Sequence, residues 1–260
     1  MSPRAPIYGL HGRVALVTGG TSGIGKACVE RLRAEEMVVV FTGRSEQRGR
    51  AVAGATGAIF LPCDARDREA CDRSVDEAFR IGGRLDLLVS NAGIVFGNAI
   101  ERTPEPAFRE LLEVNLTAVF RYGRAVFGPM REQGGGSIVV MASDSGIRGV
   151  HEIPAYSVTK AGAIAIAELL AAEGAPHGIR ANAVCPGDVA PGIQATPEGH
   201  ADHAEDPSGW TLPPSGRFGS GEDVAAMVAW LASDESTHVT GATLRIDGGM
   251  GAAMQAFTRG

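Results

Sequence analysis

The segment Thr18-Gly19-Gly20-Thr21-Ser22-Gly23-Ile24-Gly25 fixes the fold of this chain. An apolar run, Val14–Thr18, leads into it. Apolar residues at helical spacing, Ile24–Leu32, follow it. Glycines permit a sharp turn and let the backbone come within hydrogen-bonding distance of an anion. The N-terminus of the following helix offers free N–H groups and a partial positive charge. A strand, a glycine turn and a helix in this order open a βαβ unit that cradles a pyrophosphate. Gly19, Thr21, Ser22, Gly23, Ile24 and Gly25 are its candidate contacts.

The same rhythm continues outward. Further strands are expected at Val38–Thr42, Ala58–Leu61, Leu87–Val89, Ser137–Met141, Arg180–Val184 and Thr243–Ile246. Helices are expected at Arg68–Phe79, Glu105–Arg131, Pro154–Glu173 and Glu222–Ser233, the second as one long helix with a 3.6-residue period. Strands that alternate with helices imply right-handed crossovers and a parallel sheet covered on both faces. Continuously apolar strands fit that burial. The expectation is α/β: one doubly wound domain over residues 1–260, with seven parallel strands.

One segment breaks the rhythm. Gly187–Gly216 carries five prolines after Pro186 and a polar run, Glu198–Asp206. It reads either as a substrate lid or as a disordered surface insertion. His200 and His203 with Asp202 and Asp206 match no compact zinc spacing, so no metal is expected.

Composition narrows the function classes. The 260 residues include 44% hydrophobic and 21% charged residues, as in a packed soluble domain. A net charge of -6 argues against nucleic acid or an anionic membrane as partner. The four cysteines form no CxxC pair and read as reduced, buried thiols. The stretch Ala161–Ala172 is short and contains Glu168, so it reads as a buried helix and not a span. Met1–Gly12 lacks a signal pattern, which leaves the cytoplasm as the expected location.

Two further places carry chemistry. A site selective for NAD ends its second strand in a carboxylate that receives the ribose 2′-hydroxyl. Here that place holds Gly43-Arg44, and Glu46 comes too late. A guanidinium can fork onto a 2′-phosphate, so NADP(H) is expected over NAD(H), which stays possible. Second, Tyr156 and Lys160 lie four apart, on one face of a helix. A nearby ammonium favours phenolate. Bringing a phenol from a pKa of about 10 to about 7 takes roughly 4 kcal/mol. Such a Tyr exchanges a proton with a carbonyl or alcohol oxygen.

Together these motifs resemble the short-chain dehydrogenase/reductase family, in its compact Tyr-x3-Lys branch, over about Gly12 to Gly249. The resemblance implies a Rossmann-type fold and further site residues. Asp64 and Ala65 would contact the adenine. Asn91-Ala92-Gly93 resembles the family's structural turn, and Asp247-Gly248-Gly249 its C-terminal signature. Asn115 sits where the family places a helix-distorting Asn with a relay water behind Lys160. Ser143, thirteen residues before Tyr156, would polarise the carbonyl, with Ser145 a turn residue. Pro186 and Gly187 follow the sixth strand as in the family. The family's nicotinamide-contacting Thr is replaced by Pro191, which leaves backbone near Val189 for that role. Asp144, unusually polar for a ketone pocket, either bonds a substrate hydroxyl or faces solvent.

The implied reaction is hydride transfer between nicotinamide C4 and a carbonyl or carbinol carbon of a small molecule. Tyr156 would shuttle the proton, Lys160 would lower its pKa and bond the ribose, and Ser143 would donate to the oxygen. The leading expectation is an NADP(H)-dependent ketoreductase. An NAD-dependent polyol or sugar dehydrogenase is the alternative, and a non-catalytic dinucleotide sensor the alternative of another class. Enoyl reduction is disfavoured, because relatives that perform it set Tyr and Lys farther apart. Ile94–Ile100 and Gly146–Ile153 would wall the substrate, with Ile94, Val95, Phe96, Ile147, Val150 and Ile153 as its apolar side. A homo-oligomer, dimer or tetramer, is expected, with Glu105–Arg131 and Pro154–Glu173 at the interface.

Overall fold

Alternate residues of each central strand point to opposite faces of a sheet, and here both faces are apolar. In β1 (Val14–Val17), Ala15 and Val17 join one core with Val29, Phe41 and Val228. Val14 and Leu16 join the other with Val75, Tyr122 and Val126. Burying each such Val or Leu contributes about 1.5–3 kcal/mol. The computed structural model describes residues 8–190, the backbone of 193–196 and 199–202, and residues 212–252.

The other strands are β2 (Val38–Gly43), β3 (Ile59–Pro62), β4 (Leu87–Ser90), β5 (Gly136–Met141), β6 (Ile179–Pro186), the short pair β7 (Ile193–Thr196) and β8 (Gly199–Asp202), and β9 (Thr243–Ile246). Seven form one parallel sheet in the order β3-β2-β1-β4-β5-β6-β9, as expected. The direction of winding reverses between β1 and β4, so the carboxyl ends of these two strands open a crevice.

The helices are α1 (Gly23–Ala34), α2 (Glu46–Thr56), α3 (Arg68–Gly82), α4 (Glu105–Leu112), α5 (Ala118–Glu132), α6 (Pro154–Gly174) and α7 (Gly221–Ala232). Helices α1 and α7 cover one face. Helices α3, α5 and α6 cover the other. All four cysteines are free and buried.

Three features differ from the expectation. The long helix over 105–131 is interrupted: Glu113–Thr117 forms a π-turn between α4 and α5. Helix α2 is not legible, because its buried residues are only Gly49 and Val52. A Cβ on Gly49 would stand 2.3 Å from the Phe60 ring, so the helix packs by lacking a side chain there. Part of the 187–216 segment is ordered as strand, with β7 and β8 pairing antiparallel. Pro191, His203 and Asp206 lie outside the described residues, as do the side chains of His200 and Asp202. The helical stretch Pro154–His177 is long and apolar enough to cross a membrane by length and composition, but it packs against β5 and β6, as the expected core helix.

Helix α7 opens with a reciprocal cap. The Ser220 hydroxyl accepts from Asp223 N, and the Asp223 carboxylate accepts from Ser220 N. Arg217 beside it holds the Asp223 carboxyl down at about 2, below the usual 3.8. The folded-state value is the lower one, so this support is present above about pH 4 and is lost as pH falls toward 2. Replacing Ser220 by Ala should cost about 1 kcal/mol in thermal or urea unfolding at pH 7. An unchanged midpoint would contradict this reading of the cap.

Candidate active site

The crevice at the β1 and β4 ends is built by close backbone contact. Gly19 and Gly23 sit at φ 68 and 51, in the left-handed region open to glycine. A Cβ on Gly25 would lie 2.2 Å from the Gly19 carbonyl oxygen, so helix α1 can start only against bare backbone. Asn91 closes the turn from the β4 side, its Nδ2 donating to Thr18 O at 3.0 Å and Gly19 O at 3.2 Å. The N–H groups of Asn91 and Ala92 both donate to the buried Thr18 hydroxyl. Gly43, at the end of β2, leaves room for Thr21 and hands the chain to Arg44, which is exposed.

A cavity of about 890 Å³ runs from this turn to α6. Arg44, Asp64 and Ala65 line one end, and Ser143, Tyr156 and Lys160 the other. Arg66 grips the Asp64 carboxylate through Nε and Nη2 and holds it below the usual carboxylate range. Pro186, Gly187 and Val189 also line the cavity. The strand end after β6 is pinned by Gly187 N donating to Ile246 O, and by the pairing of Val189 with Gly219.

Tyr156 lies in the first turn of α6, after Pro154 at its start. Lys160, one turn on, is buried, and its Nζ donates to Met141 O at 2.7 Å and lies 5.5 Å from the Tyr156 ring centroid. Helix α6 abuts the Ser143 turn so closely that a Cβ on Gly146 would stand 2.6 Å from the Lys160 carbonyl carbon. Ser145 is more than a turn residue. Its N–H donates to Ser143 Oγ at 3.2 Å, and its hydroxyl lies 3.0 Å from the same atom.

The π-turn explains Asn115. One extra residue in that turn directs the fully buried side chain inward. Its Oδ1 accepts from Ile94 N and its Nδ2 donates to Ile94 O, both at 2.8 Å, and also to Thr159 Oγ1. Asn115 does not bond Lys160 directly. Gly93 stands between them, since a Cβ there would lie 3.4 Å from Asn115 Oδ1 and 3.6 Å from Lys160 Nζ.

Electrostatics in the pocket depart from the expectation for Tyr156. Burial pushes its phenol up to about 12, Ser143 opposes this by hydrogen bonding, and Asp144 adds to it. Burial also pulls the Lys160 ammonium down to about 8. Ser143 favours the phenolate, and burial outweighs it.

Of the expected apolar wall, Ile94, Val95, Val150 and Ile153 line the cavity. Ile147 instead packs on the main core, and Phe96 on a small cluster with Leu111 and Val114. The two walls are tied by Asn98 N donating to Glu152 O at 2.7 Å. Sequence reading left Asp144 open and missed its partner. Asp144 accepts from Ser143 Oγ at 3.3 Å and pairs with Arg148 at 3.0 Å. Their four-residue spacing was the only available signal.

Residues 19–251 match a family model described as enoyl-(acyl carrier protein) reductase. The chain is 35% identical over 243 residues to the 3-oxoacyl-[acyl-carrier-protein] reductase of Escherichia coli (strain K12), covering 92% of this chain and 98% of that one. The chain belongs to the short-chain dehydrogenase/reductase family. A second member of the family, 3beta-hydroxysteroid dehydrogenase 1 of Eggerthella lenta, is 36% identical over 253 residues, 93% of this chain and 94% of that one. Among solved structures, levodione reductase superposes with a TM-score of 0.86 at 30% identity, covering 94% of this chain and all of that one. The family, its oxidoreductase chemistry and its Rossmann-like parallel sheet are therefore those of this chain.

Replacing Asn115 by Ala would leave the buried Ile94 N–H and C=O without partners. Each loss costs about 1–3 kcal/mol, so thermal denaturation should show a melting temperature lower by several degrees. A shift within one degree would contradict the bracing role of Asn115.

Proposed function

We propose that this chain is an NADP(H)-dependent reductase that converts a ketone to a secondary alcohol, with Tyr156 as the general acid. One observation carries the reading. Ser143, Tyr156 and Lys160 line one end of the cavity that the glycine turn opens, with Lys160 Nζ 5.5 Å from the centre of the Tyr156 ring. A protonated phenol is the form that gives a proton to a carbonyl oxygen.

The residues fit a dinucleotide. Gly19, Thr21, Ser22, Gly23, Ile24 and Gly25 form a cradle that any Cβ on Gly25 would obstruct, and the pyrophosphate would lie there. Arg44 would take the 2′-phosphate, because no carboxylate ends β2 to prefer a free hydroxyl. Asp64 and Ala65 would receive the adenine. Asn91, Ala92 and Gly93, with Tyr156 and Lys160, would hold the nicotinamide ribose, and Pro186, Gly187 and Val189 the carboxamide end. When bound, the nicotinamide supplies the hydride. Ser143 would donate to the substrate oxygen as negative charge develops. Tyr156 would deliver the proton, and the Lys160 ammonium would steady the phenolate left behind. Asn115 would hold the helix bend behind Lys160.

Several observations bear on the rival readings. Oxidation of a polyol with NAD would call for an acidic end to β2, and Gly43-Arg44 stands there instead. A silent sensor would not need Ser143, Tyr156 and Lys160 on one cavity. Enoyl reduction, named in the matching family model, fits poorly with Tyr156 only four residues from Lys160. Phe120, Val158 and Leu169 on α5 and α6 are large apolar side chains left more than half exposed, which supports a homodimer or homotetramer through these helices. Free, buried thiols support a cytoplasmic location.

Replacing Tyr156 by Phe should lower kcat about 10²- to 10⁴-fold while NADPH binding, followed by nucleotide fluorescence, survives. Equal inactivity of both proteins on a ketone panel would favour the sensor. Arg44→Asp should lower kcat/KM for NADPH by about 100-fold and spare NADH. Equal use of both cofactors by the unaltered enzyme would sink the NADP(H) assignment. Reduction should fall as pH rises through about 8, where Lys160 loses its proton.

A further inference from the structure

The pocket beside Ser143 contains a charge pair that the reaction does not require. Asp144 is 15% exposed at its side chain and uses both carboxylate oxygens. Oδ1 accepts from Ser143 Oγ at 3.3 Å, and Oδ2 accepts from Arg148 Nη2 at 3.0 Å. One carboxylate therefore separates the polarising hydroxyl from a guanidinium. Both residues line the cavity that holds Tyr156.

Arg148 is placed in an unfavourable way for a scaffold residue. Its Nε is buried with no hydrogen-bond partner, an arrangement that costs folding free energy. Turning outward would hydrate the whole guanidinium. Instead 38% of the side chain stays exposed, on the pocket wall. A guanidinium has five N–H donors in a fixed fork, and Asp144 takes one of them. The fork thus offers further donors to an occupant of the pocket.

The surrounding charge says which occupant. Asp188, also on the cavity, is close enough to feel both members of the pair. Burial raises its carboxyl above the usual range, Asp144 adds to the rise and Arg148 opposes it. Asp144 and Asp188 thus both lie on the cavity with Arg148, and Asp144 already pairs with its guanidinium. A carboxylate on the substrate would compete with Asp144 for the guanidinium and be repelled by both carboxylates, whereas a neutral oxygen acceptor would meet only the donors.

We propose that Arg148, anchored by Asp144, is a specificity-determining residue that selects neutral ketones carrying a second oxygen acceptor about one small ring away from the reacting carbonyl. This rests on the ketone-reductase reading. The Asp144 carboxylate, bonded to Ser143 Oγ through one oxygen and to Arg148 Nη2 through the other, sets the separation, and Val150 and Ile153 supply the apolar surface for the carbon frame. A site built to donate to an oxygen discriminates against the analogue lacking it more sharply than an apolar pocket discriminates by size.

The test uses the full-length enzyme with NADPH and three ketones on one frame: cyclohexanone, methyl 4-oxocyclohexanecarboxylate and the free 4-oxocyclohexanecarboxylate. The expected order of kcat/KM puts the neutral ester at least about tenfold above both others, mainly through KM. Arg148→Met should bring the ester-to-cyclohexanone ratio toward one. Arg148→Lys keeps a cation for Asp144 but loses the fork, so it should give an intermediate ratio even if the Met variant folds poorly. Comparable efficiency on all three ketones, or a ratio that both variants leave unchanged, would overturn the role of Arg148 while leaving ketone reduction standing. Turnover of none of the three by the unaltered enzyme would overturn both.

Discussion

The site depends on a contact between two pieces of backbone. Helix α1 begins where Gly25 meets the carbonyl of Gly19, at a separation that leaves no room for a Cβ. That contact lets the helix N-terminus face the crevice between β1 and β4. It is also where Asn91 fastens the two strand ends together. Everything chemical lies downstream of it. The crevice sets where a dinucleotide would lie, and hence which way Tyr156, on the far wall, must point.

The catalytic end shows the same economy of space. Gly146 lets α6 press against the Ser143 turn, and Gly93 lets Asn115 and Lys160 approach the same strip of backbone. The π-turn at Glu113–Thr117 turns Asn115 inward and braces the segment after β4. Burial is the cause of both unusual acidities, raising the phenol of Tyr156 and lowering the ammonium of Lys160. A pocket that dries both groups disfavours charge on either, which leaves Ser143 to support the phenolate as its proton leaves.

The sheet was readable because its strands are buried on both faces and are apolar without interruption. The glycine turn and Tyr156–Lys160 were readable because local spacing carries them. Helix α2 was not, since it packs through Gly49 and presents almost no apolar stripe. The break in the long helix was invisible to periodicity, because a π-turn shifts register by one residue without changing composition. Asp144 was noticed but could not be interpreted. Its meaning lies in Ser143 and Arg148, and only the three-dimensional turn joins them. The rise in the Tyr156 pKa is not legible for a related reason. Lys160 is visible at four residues' distance, whereas the desolvation that raises the phenol comes from the whole fold.

The central claim is that this cavity brings a hydride from a nicotinamide to a carbonyl carbon. The direct measurement is a turnover of a prochiral ketone with NADPH carrying deuterium at one face of C4, followed by NMR of the alcohol. The account predicts that one of the two labelled faces delivers its deuterium to the carbinol carbon, and that the product is a single enantiomer. An alcohol without deuterium from either labelled face, or NADPH left unoxidised beside every ketone offered, would contradict it.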